Sequence, residues 1–460
     1  MNNQNNSKDA VKRTVKKLAP AILTALIATV LGLLSLYTSP VPMIQDFGKM
    51  LSIGMVVSFV VALLVLLPIL FVRDNFFQLE DKKKRNTKVS RFEKGMKKIT
   101  RSVLKLKYII LLLAITSAAA GVYYDQKVGV ETDIETFMPQ DTQELLDIQE
   151  LREIIGSTEQ LSIVYNSYDI YSDVNLNWIV EMTNNLQSEF PDDIIEVKSI
   201  SSVLSQLTTE ELTKELVDSL TEDLPQDQLK MLVNEDRTKG VIIVSIKDLE
   251  SDELEAFIAN LRTYLDNSIT DMDVTVTGQA VIDVEMITAL TTGRYTITLV
   301  GMILVFVGLL FIYRNPLKAI IPLIPISLIV GWSGAVMYLY DLKYTPLTAT
   351  LGAMIIGIGT EFTILIMERY FEEKEKGVSN NEAIITTLGK MGKPITASAL
   401  TTIGGFSALV ISDFEILSNF GIMTLVNISL ALFSTIFVMP AVLSIQGGIV
   451  NLFTKNKVSG

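Results

Sequence analysis

The sequence predicts an integral membrane α-helical bundle of eight transmembrane helices, with an extracytoplasmic α+β domain of ferredoxin-like order. Three observations carry this. The 460 residues are 49% hydrophobic with mean hydropathy +0.40, more apolar than a soluble chain of this length sustains. Eight apolar runs, at 18–37, 43–72, 107–124, 292–313, 316–340, 345–368, 394–412 and 416–447, are long enough to cross a bilayer, which takes about 20 residues. Between the third and fourth runs lies one long polar interval, 125–290, with its own strand and helix signals.

Composition also excludes whole classes of function. Without cysteine there is no disulfide framework, iron–sulfur cluster or thiolate zinc site, and without histidine no Ser-His-Asp triad or HExxH metal site. A formal charge of −12 argues against nucleic acid as a partner. An intramembrane protease would need paired aspartates, a serine–base pair or a metal, and none is legible, so the chain reads as no enzyme.

The first run has the length of a signal peptide's apolar region but lacks a small-residue cleavage pattern. Ser39-Pro40-Val41-Pro42 turns it directly into the second run, so it reads as a true span. Charge then fixes orientation. Lys8, Lys12, Arg13, Lys16 and Lys17 precede the first span, and 73–107 holds 13 Lys and Arg against four acids, including Lys82-Lys83-Lys84-Arg85. By the positive-inside rule both stretches are cytoplasmic, which places both termini inside a multi-pass cytoplasmic membrane protein and 125–290 outside. Arg314, Lys318, Lys374, Lys376, Lys390, Lys393, Lys455 and Lys457 fall inside by the same count, and the loops 38–45 and 412–415, without Lys or Arg, fall outside. Pro316, Pro322, Pro325 and Pro346 mark helix starts and kinks.

The outer interval contains 36 of the 51 acidic residues and nine basic ones, whereas the remainder is net basic. Such acidity first of all keeps an exposed domain soluble; a cation-attracting surface is the alternative. Within it, 161–165, 194–198, 240–246 and 272–277 read as strands and 174–189 and 252–266 as helices, with an acidic helical insertion over 203–233 broken at Pro225. Strand-helix-strand repeated around an insertion is the split βαβ order. Trp178 and the tyrosines of 161–171 read as core.

The first two spans resemble the last two at an offset of about 373 residues. Lys17-Leu-Ala-Pro20 matches Met391-Gly-Lys-Pro394, Thr24-Ala-Leu26 matches Ser398-Ala-Leu400, Gly32 matches Gly405, Phe47-Gly48 matches Phe420-Gly421, and Leu67-Pro68 matches Met439-Pro440. Tandem membrane repeats pack about a pseudo-symmetry axis with a transport route between them. The chain thus reads as the last two helices of one repeat followed by a complete second one.

Three motifs in order then resemble the resistance-nodulation-division superfamily, nearest to its MMPL-type and hydrophobe/amphiphile efflux branch. Leu351-Gly-Ala-Met-Ile-Ile-Gly-Ile-Gly-Thr-Glu-Phe-Thr-Ile-Leu-Ile-Met-Glu-Arg-Tyr370 is similar to the fourth helix of a repeat, Pro394-Ile-Thr-Ala-Ser-Ala-Leu-Thr-Thr-Ile-Gly-Gly-Phe406 to the next, and Ser39-Pro-Val-Pro-Met-Ile-Gln-Asp-Phe-Gly48 to the turn into the sixth. The resemblance covers nearly all of the chain and implies the final two thirds of a twelve-helix exporter with porter-type outer domains. The divisions it implies are 1–73, the last two helices of the first repeat; 74–106, a basic cytoplasmic linker; 107–124, a transmembrane helix; 125–290, the porter-like domain; 291–450, a five-helix bundle; and 451–460, a cytoplasmic tail. It further implies no cofactor, drive by the proton motive force or by sodium, and a hydrophobic, amphiphilic or lipid cargo. The implied partners are the lipid bilayer and an N-terminal half-transporter polypeptide or a second copy. An inactive or structural split-gene product is one rival, and an auxiliary protein-export component another. Glu361 and Phe362 depart from the family's Asp-Tyr at the fourth helix.

Read from the residues alone, Glu361 is the one ionisable group in the interior of any run. Asp46, Lys49, Arg294, Glu368 and Arg369 fall near run ends, in reach of water or headgroups. A carboxyl at that depth is costly and marks proton or ion coupling by default; the bland alternative is a protonated acid making one interhelical hydrogen bond. Thr360, Thr363, Thr401 and Thr402 are candidate hydroxyls around it, although threonines in membrane helices more often bond their own backbone. Gly352, Gly357, Gly359 and Gly405 are candidate close-approach positions. Arg369 reads as the cytoplasmic-end charge, snorkelling toward phosphate. No substrate site is legible.

Overall fold

A computed structural model describes residues 19–66, 90–131, 159–208, 210–223, 226–247, 251–268 and 270–458, with isolated positions between. The N-terminal arm from Lys8 to Lys17, Leu67, the Lys82–Arg85 cluster and Pro225 lie outside the described residues, as do the side chains of Lys455 and Lys457. The chain forms two compact units, one from Met1–Glu131 with Ala289–Gly460 and one from Thr132–Thr288.

The first unit is a helical membrane bundle, and among the described residues eight helices are long and apolar enough to span a bilayer. These are α1 (Ala19–Thr38), α2 (Pro42–Val65), then, after the amphipathic α3 (Arg91–Lys105), α4 (Lys107–Asp125). The turn between α1 and α2 works as its residue types predict. Ser39 Oγ accepts from Val41 N at 3.1 Å, Gln45 Nε2 donates to Ser39 O at 2.8 Å, and Pro42 stands in the first turn of α2, where no amide hydrogen is needed.

The second unit interposes β1 (Gln160–Asn166), α5 (Asp173–Glu189), β2 (Ile194–Lys198), α6 (Ile200–Leu204), α7 (Lys214–Asp223), α8 (Gln226–Leu232), β3 (Lys239–Ile246), α9 (Ser251–Asp266) and β4 (Asp273–Thr277). Its sheet runs β2-β3-β1-β4 with every neighbour antiparallel, the order that the split βαβ pattern demands. Alternation in β1 and β3 sends Leu161, Ile163, Ile242 and Val244 into one core with Leu176 and Ile179 of α5 and Phe257 and Leu261 of α9. Tyr165 pairs in register with Gly240, and a Cβ there would lie 2.3 Å from the phenol ring, so glycine is what lets the ring lie flat across the strand. Trp178 meets Tyr165 edge-on and donates to Ser268 Oγ at 3.1 Å. Trp178, Tyr165 and Tyr171 are core, while Tyr168 is fully exposed.

The remaining spans are α10 (Gln279–Tyr313), α11 (Pro316–Leu339), α12 (Leu351–Glu375), α13 (Asn380–Phe406) and α14 (Glu415–Val458). Asn315 caps α11 by accepting from Leu317 N and Lys318 N, and Pro322 interrupts that helix after its first turns. Burial separates the spans sharply: 78% of the apolar window of α12 is enclosed, against 11% for α2 and for α13. The most enclosed helix is the one bearing Glu361. The backbones of α4 and α11 touch, because a Cβ on Gly121 of α4 would fall 2.0 Å from Gly331 O of α11.

Helix bounds differ from the sequence expectation in two places. The span expected at 394–412 belongs to a helix that starts at Asn380 and runs through Pro394. Its first half buries Ala383, Ile384 and Leu388 and brings Gly389 and Gly392 against Lys97 and Met96 of α3; Glu382, Lys390 and Lys393 mask this apolar face in a hydropathy sum. Likewise α10 begins at Gln279 rather than near 292, so Arg294 lies more than a dozen residues inside a helix instead of at its end.

Candidate functional site

The glycines of α12 let three helices approach it. A Cβ on Gly352 would lie 2.1 Å from Thr298 Oγ1 of α10, one on Gly357 3.0 Å from Thr29 of α1, and one on Gly359 3.0 Å from Ile326 of α11. Thr29 Oγ1 donates across to Gly357 O at 3.0 Å. Such approaches, with a hydroxyl bond over them, are how membrane helices gain packing energy without a hydrophobic drive.

Glu361 sits in this helix half-buried, with no hydrogen bond or ion pair among the described residues. Thr360 and Thr363 flank it, but their hydroxyls donate to Gly357 O at 2.8 Å and Gly359 O at 3.0 Å, within their own helix. Thr401 and Thr402 are not joined to the carboxyl either. They donate to Ala397 O at 2.9 Å and Ser398 O at 3.1 Å, and a Cβ on Gly405 would meet nothing within 4 Å. That half of α13 presents an open face. Arg369 is tied to Glu372 and Glu373, and Glu373 is also bonded by Lys376 at 3.2 Å and Lys390 at 3.1 Å, so the guanidinium takes part in an ion network at this end of α12.

At the other end of α12 the structure assembles a charged centre absent from the sequence reading. Arg294 is only 6% exposed. Its Nη2 lies 3.2 Å from Asp125 Oδ2 and donates to Asp125 O at 2.9 Å, while its guanidinium stacks 3.8 Å from the Tyr344 ring centroid. Tyr344 donates to Asp125 Oδ1 at 2.6 Å and Tyr295 to Oδ2. Burial holds the Tyr344 phenol well above its ordinary range, so it remains a donor. Gly334 completes the seat, since a Cβ there would lie 2.4 Å from Asp125 Oδ1. Asp125 and Arg294 are 169 residues apart, and the signal for their pairing is no more than opposite charges at like depth in facing spans.

The architecture is a helical membrane bundle around a glycine-lined, acid-bearing helix, with a split βαβ domain inserted after its third span. The chain belongs to the MMPL family, whose model matches residues 1–119 and 177–459. A putative membrane protein of Methanocaldococcus jannaschii is 26% identical over 74% of this chain and 90% of its own length. The sulfolipid-1 exporter MmpL8 of Mycobacterium tuberculosis is 25% identical over 51% of this chain, and the match spans 23% of that exporter. Among solved structures, the hedgehog release protein Disp of the water bear Hypsibius dujardini superposes with a TM-score of 0.69 at 13% identity, over 95% of this chain and 60% of that one. SecDF in its super-membrane-facing form superposes with a TM-score of 0.52 at 15% identity, over 98% of this chain and 51% of that one. At these identities the structural likeness is one of fold.

Proposed function

We propose that this chain is the coupling part of a proton-driven exporter that moves lipids or other hydrophobic or amphiphilic molecules out of the cytoplasmic membrane. In this reading both termini are cytoplasmic and the acidic domain is extracytoplasmic, as the Lys and Arg distribution favours. Membership of the MMPL family and the relationship to a sulfolipid-1 exporter support the class of cargo. One observation carries the coupling role: the carboxyl of Glu361 has no partner in the most enclosed helix of the bundle. Seating such a group costs roughly 2.5–3.5 kcal/mol or more, a cost no local bond offsets. A group so placed takes a proton from one side and yields it to the other when the helices around it shift. A potential of ~100 mV supplies ~2.3 kcal/mol for each charge that crosses.

Thr360 and Thr363 then act by holding the backbone of α12, and Gly352, Gly357 and Gly359 by giving it rails on which to slide against α1, α10 and α11. The open face of α13, with Thr401, Thr402 and Gly405, favours a helical partner, either an N-terminal half-transporter or a second copy. The test is reconstitution in vesicles under an imposed pH gradient with a fluorescent phospholipid as probe. Wild type exports the probe and Glu361→Gln does not. Equal export by the two removes the coupling role.

A further inference from the structure

Asn427 of α14 has a side chain that nothing so far explains. It is 5% exposed, and neither Oδ1 nor Nδ2 has a partner among the described residues. It lines a small cavity with Thr424 and Ile428 of its own helix and with Met354 and Ile358 of α12. Leaving a buried amide unbonded costs roughly 1–3 kcal/mol for each group. A leucine of similar size would fill the same space without that cost.

The α12 residues that line the cavity end at Ile358, three positions before Glu361. Met354, Ile358 and Glu361 follow the three- and four-residue spacing that places side chains on one helix face. Ile358 and Glu361 are separated by ~4.5 Å of helix rise, within reach of a glutamate side chain. A trapped water needs two to four polar partners. Asn427 offers a donor and an acceptor, and Thr424, whose hydroxyl hydrogen goes to Phe420 O at 2.7 Å, keeps an oxygen free to accept. No Asp, Glu, Lys or Arg lines the cavity; toward the start of α12, Leu351 and Ile355 divide it from Asp125, Arg294, Tyr295 and Tyr344, and in the other direction Glu361 is the next acid on that face.

From this juxtaposition we propose that Asn427 and Thr424 hold a water that relays protons to Glu361. The step balances simply. A hydronium formed at this position from the aqueous phase breaks one O–H bond, the Glu361 carboxylate gains that proton as a new O–H bond, and a neutral water stays on Asn427. Asn427 is thus a positioning residue. The inference rests on the reading of Glu361 as the proton carrier.

The test uses the full chain in phosphatidylethanolamine–phosphatidylglycerol vesicles with pyranine inside and an acid jump outside. Wild type acidifies the lumen faster than protein-free vesicles. Asn427→Leu slows that acidification by about tenfold or more, while its unfolding temperature in detergent is equal to or above that of wild type. Asn427→Ser, which keeps a hydroxyl and leaves room for a second water, retains most of the rate. If Asn427→Leu acidifies at the wild-type rate while Glu361→Gln is inert, the relay is overturned and the Glu361 reading stands. A lower unfolding temperature for Asn427→Leu also overturns it, because the amide then holds the fold together. If wild type and Glu361→Gln acidify equally, the Glu361 reading itself falls, and the relay with it.

Discussion

Asp125 on α4 and Glu361 on α12 are both carboxylates set into membrane helices, and their surroundings are opposite. Asp125 receives an arginine and two phenols, one donor or more on each oxygen, and a glycine cleared from its path. Glu361 receives nothing among the described residues. The first arrangement surrounds a buried carboxylate with opposite charge and hydrogen-bond donors. The second leaves a carboxyl with no bonding neighbour among the described residues, the property on which the proposed coupling role rests. The difference separates an acid held in place by its neighbours from one left open for the proposed coupling role.

The comparison is broken most violently from the Asp125 side. Arg294→Met strands a buried carboxylate and should lower stability by about 3–5 kcal/mol, seen as a large drop in the thermal unfolding midpoint in detergent. Adding Asp125→Leu to it should recover most of that loss, because removing both charges leaves neither one uncompensated. A smaller effect comes from the glycine contact that brings α4 to α11. A Cβ on Gly331 would lie 2.4 Å from Ala118 O, so Gly331→Leu should cost roughly 1–3 kcal/mol by forcing the backbones apart. The same unfolding midpoint measures it.

An exposed pair sharpens the contrast further. In the acidic unit, Lys214 bonds Asp169 and holds its carboxyl below the usual range. Because the folded value is depressed, the stabilisation is present above the unfolded value of about 4 and is lost as pH falls through the folded one. Lys214→Ala should therefore give a slight drop in midpoint at neutral pH that vanishes in strong acid, the pattern of a solvent-screened pair. Smallest of all in stability is Glu361→Gln, which removes no bond and should unfold no earlier than wild type, although it abolishes transport.

Much of this was legible in the sequence, for reasons that can be named. Each span announces itself by an apolar run, and the four strands by alternation, so the helix count and the sheet order both follow from local pattern. Glu361 was legible because a carboxylate amid Ile, Gly and Thr has no local competitor. The start of α13 was not, because Pro394 reads as a beginning and the charges at Glu382, Lys390 and Lys393 conceal a face buried on α3. Arg294 was misplaced because the helix bearing it begins at Gln279. Thr401, Thr402 and Gly405 go with the acid by residue type alone; in the structure the two hydroxyls bond their own helix and nothing approaches a Cβ on Gly405 within 4 Å. An isolated asparagine in a membrane helix, such as Asn427, is silent in the sequence, because only the structure shows that its amide has no partner among the described residues.

The most direct measurement is infrared difference spectroscopy of the reconstituted chain, following the carboxylic-acid carbonyl band as a pH gradient is switched on and off. A band that grows and fades with the gradient in wild type and is missing in Glu361→Gln is the predicted result. A carboxyl whose band stays constant through that cycle, or an identical response in the variant, would contradict it.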